Sequence, residues 1–213
     1  MLTAVRSPRR TRDVQVAATR ATILDTAERL FAEHGVATVS NRQISEAAGQ
    51  GNNAAVGYHF GTRSELIRAI IRRHAAPMEE IRRGLFDRYR ESAELRDVVT
   101  CVVCPYTQHL AALGAPSWYA RFAAQVITEP GLRQLAGDVL RDAPVLFAVS
   151  EALHRLLPHL TPEVCRERED MAHTLIVHFC AQRERSAQPR WAATATSLLD
   201  AVEGLLRAPM NSR

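Results

Sequence analysis

Apolar residues recur along this chain at helical spacing almost from end to end, and nowhere alternate as a half-buried strand would. Ile23, Ala27, Leu30 and Phe31 mark one face of a first helix, which Thr19 can cap and Gly35 can end. Ser40 with Gln43 forms a capping box for a short second helix whose apolar side is Ile44, Ala47 and Ala48. Gly49-Gln50-Gly51 reads as a turn, and Asn52 or Asn53 can cap a third short helix reaching about His59. Gly61 breaks it, Thr62 and Glu65 form a second capping box, and Leu66, Ile67, Ile70 and Ile71 begin a longer helix. That helix is expected to continue to Tyr89 with a kink at Pro77. Leu95–Leu113, Ser117–Ile127, Leu132–Leu156, Glu163–Arg183 and Trp191–Leu206 follow as helices between polar or Pro/Gly-rich separators. The expected fold is all-α with about nine helices, a three-helix N-terminal domain and a larger helical domain, without strand, repeat or loose linker.

Charge divides the chain further. All 27 basic residues are Arg and none is Lys, a usage that genome composition can explain on its own. Arg6, Arg9, Arg10 and Arg12 precede the first acid, Asp13, which leaves 23 Arg facing 23 acids in the remainder. The excess therefore sits at the N-terminus, and three segments are expected: a basic flexible arm over 1–18, a helical domain over 19–74, and a larger one over 75–213. No apolar run approaches the ~18 residues of a membrane span. The first twelve residues lack the apolar core of an export leader. Cytoplasmic location with reduced cysteines is the expectation.

Within 19–74, the second and third helices form a helix–turn–helix. A helix that enters a major groove must be short, small-faced and polar at its N-terminus, and Asn52 to Phe60 meets that need, with Val56 and Phe60 free to pack inward. The stretches ILDTAERLFAEHGVATVSNRQISEAAG and AAVGYHFGTRSELIRAII, covering Thr19 to Ile71, resemble the N-terminal domain of TetR/AcrR-type transcriptional regulators. Two departures stand out: the turn before the third helix is about one residue longer than in many members, and Gly57 sits where many carry a DNA-touching Tyr. Tyr58 can take over that role. The resemblance implies that Arg42 reaches a phosphate or base edge and that Asn53, Ala54 and Ala55 face the groove. It further implies that Tyr58 and His59 meet phosphates and that Arg63 binds one at the start of the next helix. Asn52 and Asn53 equally suit capping, His59 a structural role, and Arg63 a solvated surface. The basic arm can track nearby phosphates or the minor groove, or have no part in binding.

The larger domain of that family holds a ligand pocket and a dimer surface. Phe86, Tyr89, Tyr106, Gln108, His109, Trp118, Tyr119, Phe122 and Gln125 could line a pocket for a largely apolar effector, with Phe147 and His178 as weaker candidates. Leu175, Ile176 and Phe179 with Leu198, Val202 and Leu205 form the stripes expected to pair two copies into a homodimer on double-stranded operator DNA. Cys101 and Cys104 form a C-x-x-C with no second pair, and read as small core residues. His154/His159 and His173/His178 are turned about 500° apart on a helix. Hence no metal, cofactor or catalytic constellation is expected. The function implied is a ligand-released repressor. A helical small-molecule carrier or enzyme with an incidental helix–turn–helix is the alternative.

Overall fold

The computed structural model describes residues 8–52 and 54–210, and their side chains from Arg12 onward. These residues form ten helices and no strand. They are α1 (Pro8–His34), α2 (Asn41–Ala47), α3 (Ala55–Phe60), α4 (Arg63–Tyr89), α5 (Leu95–Leu113), α6 (Tyr119–Thr128), α7 (Pro130–Leu140), α8 (Pro144–Leu156), α9 (Pro162–Glu184) and α10 (Trp191–Arg207). Two compact units divide within α4, residues 1–70 and 71–213, a few residues before the boundary read from the sequence.

Two elements differ from expectation. α1 begins at Pro8 rather than after Thr19, so residues 8–18, read as a flexible arm, are helical. Pro suits the first turn of a helix, where its missing N–H costs nothing. Ala17 and Ala18 favour helix, and no breaker separates Pro8 from the first buried residue, Ile23. The single helix expected over Leu132–Leu156 is instead α7 and α8. The chain turns at Arg141-Asp142-Ala143, because Pro144 disfavours helical geometry in the residue before it and then starts α8. α4 runs unbroken through Pro77 to Tyr89.

The first unit is held by Ile23, Phe31, Ile44, Val56, Leu66, Ile67 and Ile70, all buried. Gly35, at φ 100°, closes α1 in a conformation that side chains other than glycine adopt at a cost. In the second unit α5 packs on α8 and α10, while α6 packs on α7 and α9. The helix ends of this unit are satisfied at long range. The Glu184 carboxylate, fully buried on α9, accepts from the backbone N–H of Ala120 (3.1 Å) and Arg121 (3.0 Å) at the start of α6. It also accepts from Ser117 Oγ (2.9 Å) and Arg121 Nε (3.2 Å). Arg168 donates to the Leu206 carbonyl at the end of α10 (2.8 Å). Both placements put charge where the helix dipole favours it. No described helix is long and apolar enough to cross a membrane.

Candidate DNA interface and ligand cavity

The helix–turn–helix is assembled from local signals. Ser40 caps α2 in a complete capping box with Gln43. Ser45, buried on α2, accepts the Val56 N–H at 3.5 Å and so ties α2 to α3. Ahead of α3 the Asn52 side chain accepts the Ala54 N–H at 2.9 Å, closing an Asx turn rather than capping the helix itself. Gly61, at φ 74°, ends α3.

Helical spacing then sorts the residues of α3. Ala54, Gly57 and Tyr58, at i, i+3 and i+4, share an exposed face, and Tyr58 leaves 75% of its surface in solvent. Asn52 is exposed beside them and His59 is half-buried, edge-on to Tyr58 at 4.9 Å. Val56 and Phe60 point inward, as expected. Ala55 does too: 6% exposed, it belongs to the core, which corrects its expected place at a groove. The register explains the error, since Ala55 lies one residue before Val56 and four before the half-buried His59. Gly57 faces open space, so its missing side chain leaves backbone accessible next to Tyr58. Asn53 lies outside the described residues, as do Arg6 and the side chains of Arg9 and Arg10; Arg12 is exposed.

The arginines of this unit divide in role. Arg42 is exposed and pairs with Glu46 at 2.7 Å, an interaction that raises its pKa. Arg63 is turned inward: its guanidinium donates to the Val36 carbonyl and lies 5.0 Å over the Phe31 ring, and desolvation lowers its pKa. A phosphate contact was expected of it, yet its guanidinium fastens α4 to the turn after α1. Arg20, which sequence reasoning missed, does the same for α3. It donates to the His59 carbonyl and sits 4.2 Å over Phe60. The only hint in the sequence was its position, three before Ile23 on the rim of the buried face.

A cavity of about 370 Å³ lies within the second unit, inside the ~300–1,000 Å³ range of small-molecule sites. Tyr106, Tyr119 and Phe122 line it, as does the weaker candidate Phe147. Phe86, Tyr89, His109, Trp118, Gln125, Gln108 and His178 are not among its walls. His109 is instead buried against His74, with 2.8 Å between ring nitrogens, and its pKa is lowered to about 4 by desolvation and by His74. Tyr119 stacks on His74 at 3.8 Å, so this pair backs the cavity wall. Much of the remaining wall is aliphatic and comes from α8, α9 and α10, which aromatic content alone could not reveal.

The expected dimer stripes are half internal. Ile176, Leu198 and Val202 are 1–3% exposed, and Ile176 and Val202 line the cavity. They serve the protomer's own core, because α9 and α10 each bury one face against α6 and α5. Leu175, Phe179 and Leu205 keep exposed or half-exposed surface, and Met171 joins them. Cys101 and Cys104 form no disulfide. Burial pushes the Cys101 thiol up to about 11 and raises Cys104.

The class defined by these features is an all-helical protein with an N-terminal helix–turn–helix and a cavity-bearing helical domain. Residues 23–70 match the family described as bacterial regulatory proteins, tetR family. The HTH-type transcriptional repressors AcnR of Corynebacterium glutamicum and Corynebacterium efficiens are 40% identical over 62 residues and 41% over 61. Each match spans 29% of this chain and only 32% of the relative. In fold the chain is similar to the fatty acid degradation regulator FadR of Bacillus halodurans: TM-score 0.59, 16% identity, 89% of this chain and 99% of that one. A TetR-family regulator of Mesorhizobium loti is similar at TM-score 0.52 and 14% identity, over 90% and 96%.

Proposed function

We propose that this protein is a cytoplasmic, sequence-specific transcriptional repressor that binds operator DNA as a twofold dimer and leaves it when a small, largely apolar molecule fills the cavity. The observation that carries the reading is the outward face of α3. Ala54, Gly57 and Tyr58 place small residues and one solvent-exposed aromatic on one face at a short helix, and Asn52 and Arg42 of the same helix–turn–helix are exposed as well. Small residues permit close approach to base edges, and the Tyr58 hydroxyl suits a phosphate. Arg42 can exchange its exposed Glu46 partner for a phosphate at little cost, since surface pairs are worth about 0–1 kcal/mol.

Pairing of two copies falls to the surface left free on α9. Met171 and Leu175 are 48% and 37% exposed, and with Phe179 they repeat at i, i+4 and i+8. Effector control needs only that the small molecule bind one arrangement of the dimer better than the other. A gel shift with DNA upstream of the protein's own gene tests the central claim. The wild-type chain shifts a specific fragment, while Tyr58→Ala, whose surface position leaves stability within about 0.5 kcal/mol, binds at least tenfold more weakly. Equal affinity of Tyr58→Ala and wild type would remove the proposed face of α3.

A further inference from the structure

The walls of the cavity narrow the chemistry of what it can hold. Every charged group on them already has a partner in the protein. Arg82 pairs with Glu79 at 2.5 Å, and the other Glu79 oxygen accepts the Val145 N–H at 2.7 Å. Glu169 accepts from Ser150 Oγ at 2.9 Å and lies 3.2 Å from His154 Nε2. Asp170 pairs with Arg133 at 2.8 Å. At His173 desolvation, and then Arg133, lower the pKa and so disfavour a positive charge there.

An anionic ligand would therefore find Arg82 already neutralised, and would face Glu169 and Asp170 besides. A cationic one would have to break an existing pair. Either would give up its hydration without a free counter-charge. Two buried polar atoms on the walls do lack a hydrogen-bond partner: the Tyr106 hydroxyl and Arg82 Nε. Both can donate. The remaining walls are mostly aliphatic and aromatic, with Met78, Val102, Phe122 and Leu153 among them.

We infer that the cavity takes an uncharged, mostly apolar molecule bearing a hydrogen-bond-accepting oxygen, such as a ketone or ester, for which the walls offer the Tyr106 hydroxyl as donor and Arg82 Nε–H as a second. This rests on the reading of the cavity as the effector site. Among the described residues the Tyr106 hydroxyl has no hydrogen-bond partner, so Tyr106→Phe removes a ligand contact without removing a structural one.

The test uses the full chain and three probes of matched length: methyl nonyl ketone, decanoate and decylammonium. Calorimetric titration of the wild type is expected to rank the ketone tightest. Tyr106→Phe is expected to keep the wild-type melting temperature when empty and to bind the ketone about tenfold more weakly, the equivalent of one hydrogen bond. Tighter binding of decanoate or decylammonium overturns the uncharged class. Unchanged ketone affinity in Tyr106→Phe overturns the role of its hydroxyl, and no binding of any probe overturns the inference as a whole. Ketone binding that depends on Tyr106 but leaves a gel-shifted DNA complex intact upholds the ligand class and removes the effector reading alone.

Discussion

Replacing Arg63 with Ala separates folding from DNA contact in the N-terminal unit. The guanidinium makes a charge-assisted hydrogen bond to the Val36 carbonyl and covers the Phe31 ring. The first is worth about 1.5–3 kcal/mol and the second, partly exposed, about 0.5–1. Their joint loss is about 2–4 kcal/mol. A unit of about 70 residues has only ~4–10 kcal/mol in hand at ~0.05–0.15 per residue, so the loss is a large fraction of the whole. Hydrogen exchange is the suitable readout, because a two-unit chain need not melt in one step. Amides of α2 and α3 are expected to exchange at least tenfold faster in Arg63→Ala, with those of α9 and α10 unchanged. In the variant that remains folded, the slope of log affinity against log salt is expected to stay within half a unit of wild type, since no phosphate contact is lost. Unchanged exchange together with a slope reduced by about one unit would refute the reasoning and return Arg63 to the phosphate role its position at the head of α4 suggests.

Glu184→Ala leaves the α6 N–H groups and Arg121 without their buried carboxylate; it is expected to cost about 3–5 kcal/mol by denaturant unfolding, and Glu184→Gln less. His109, buried and held neutral with its pKa down at about 4, links stability to pH. Below about 6.5 the unfolded chain takes up a proton that the folded chain refuses until about 4, so stability falls across that window as pH drops. His109→Gln is expected to flatten the fall in denaturant midpoints measured from pH 7 to 5, and an equally steep fall would assign it to other groups. Leu175→Arg, on the exposed stripe of α9, is expected to give monomer mass by light scattering with an unchanged helical spectrum. Retained dimer would move the contact elsewhere.

What the sequence made legible was periodic or capped. Ser40 with Gln43, the Gly35 and Gly61 stops, and the inward pair Val56 and Phe60 are each readable within a few residues, and each is where expected. The errors arose where a second element decides. Whether Ile176, Leu198 and Val202 face a partner copy or the protomer depends on how α9 and α10 meet α6 and α5, and periodicity alone gives a face without naming what covers it. Cavity residues failed for a related reason. Aromatic content pointed to α4–α6, whereas much of the wall is supplied by aliphatic residues of α8 to α10, which look like any other core.

The Arg-only composition also changes meaning once the side chains are placed. Arg20, Arg63 and Arg168 each donate to a backbone carbonyl distant in sequence: His59, Val36 and Leu206. His59 and Leu206 belong to the last turns of α3 and α10, where carbonyls lack intrahelical partners and the dipole favours a cation. Arg20 and Arg63 also lie over Phe60 and Phe31. A planar guanidinium can cover a ring and donate from its edge at once, whereas an ammonium presents a compact, more strongly hydrated charge. At Arg20 and Arg63 Arg→Lys would therefore keep the formal charge and lose the fastening. Genome composition is sufficient for an exposed arginine such as Arg83, paired with Glu80 in solvent, but it does not account for these geometries. Among the described residues of the first unit the exposed arginines are Arg12 and Arg42, which are therefore the first to substitute when the salt dependence of DNA binding is measured.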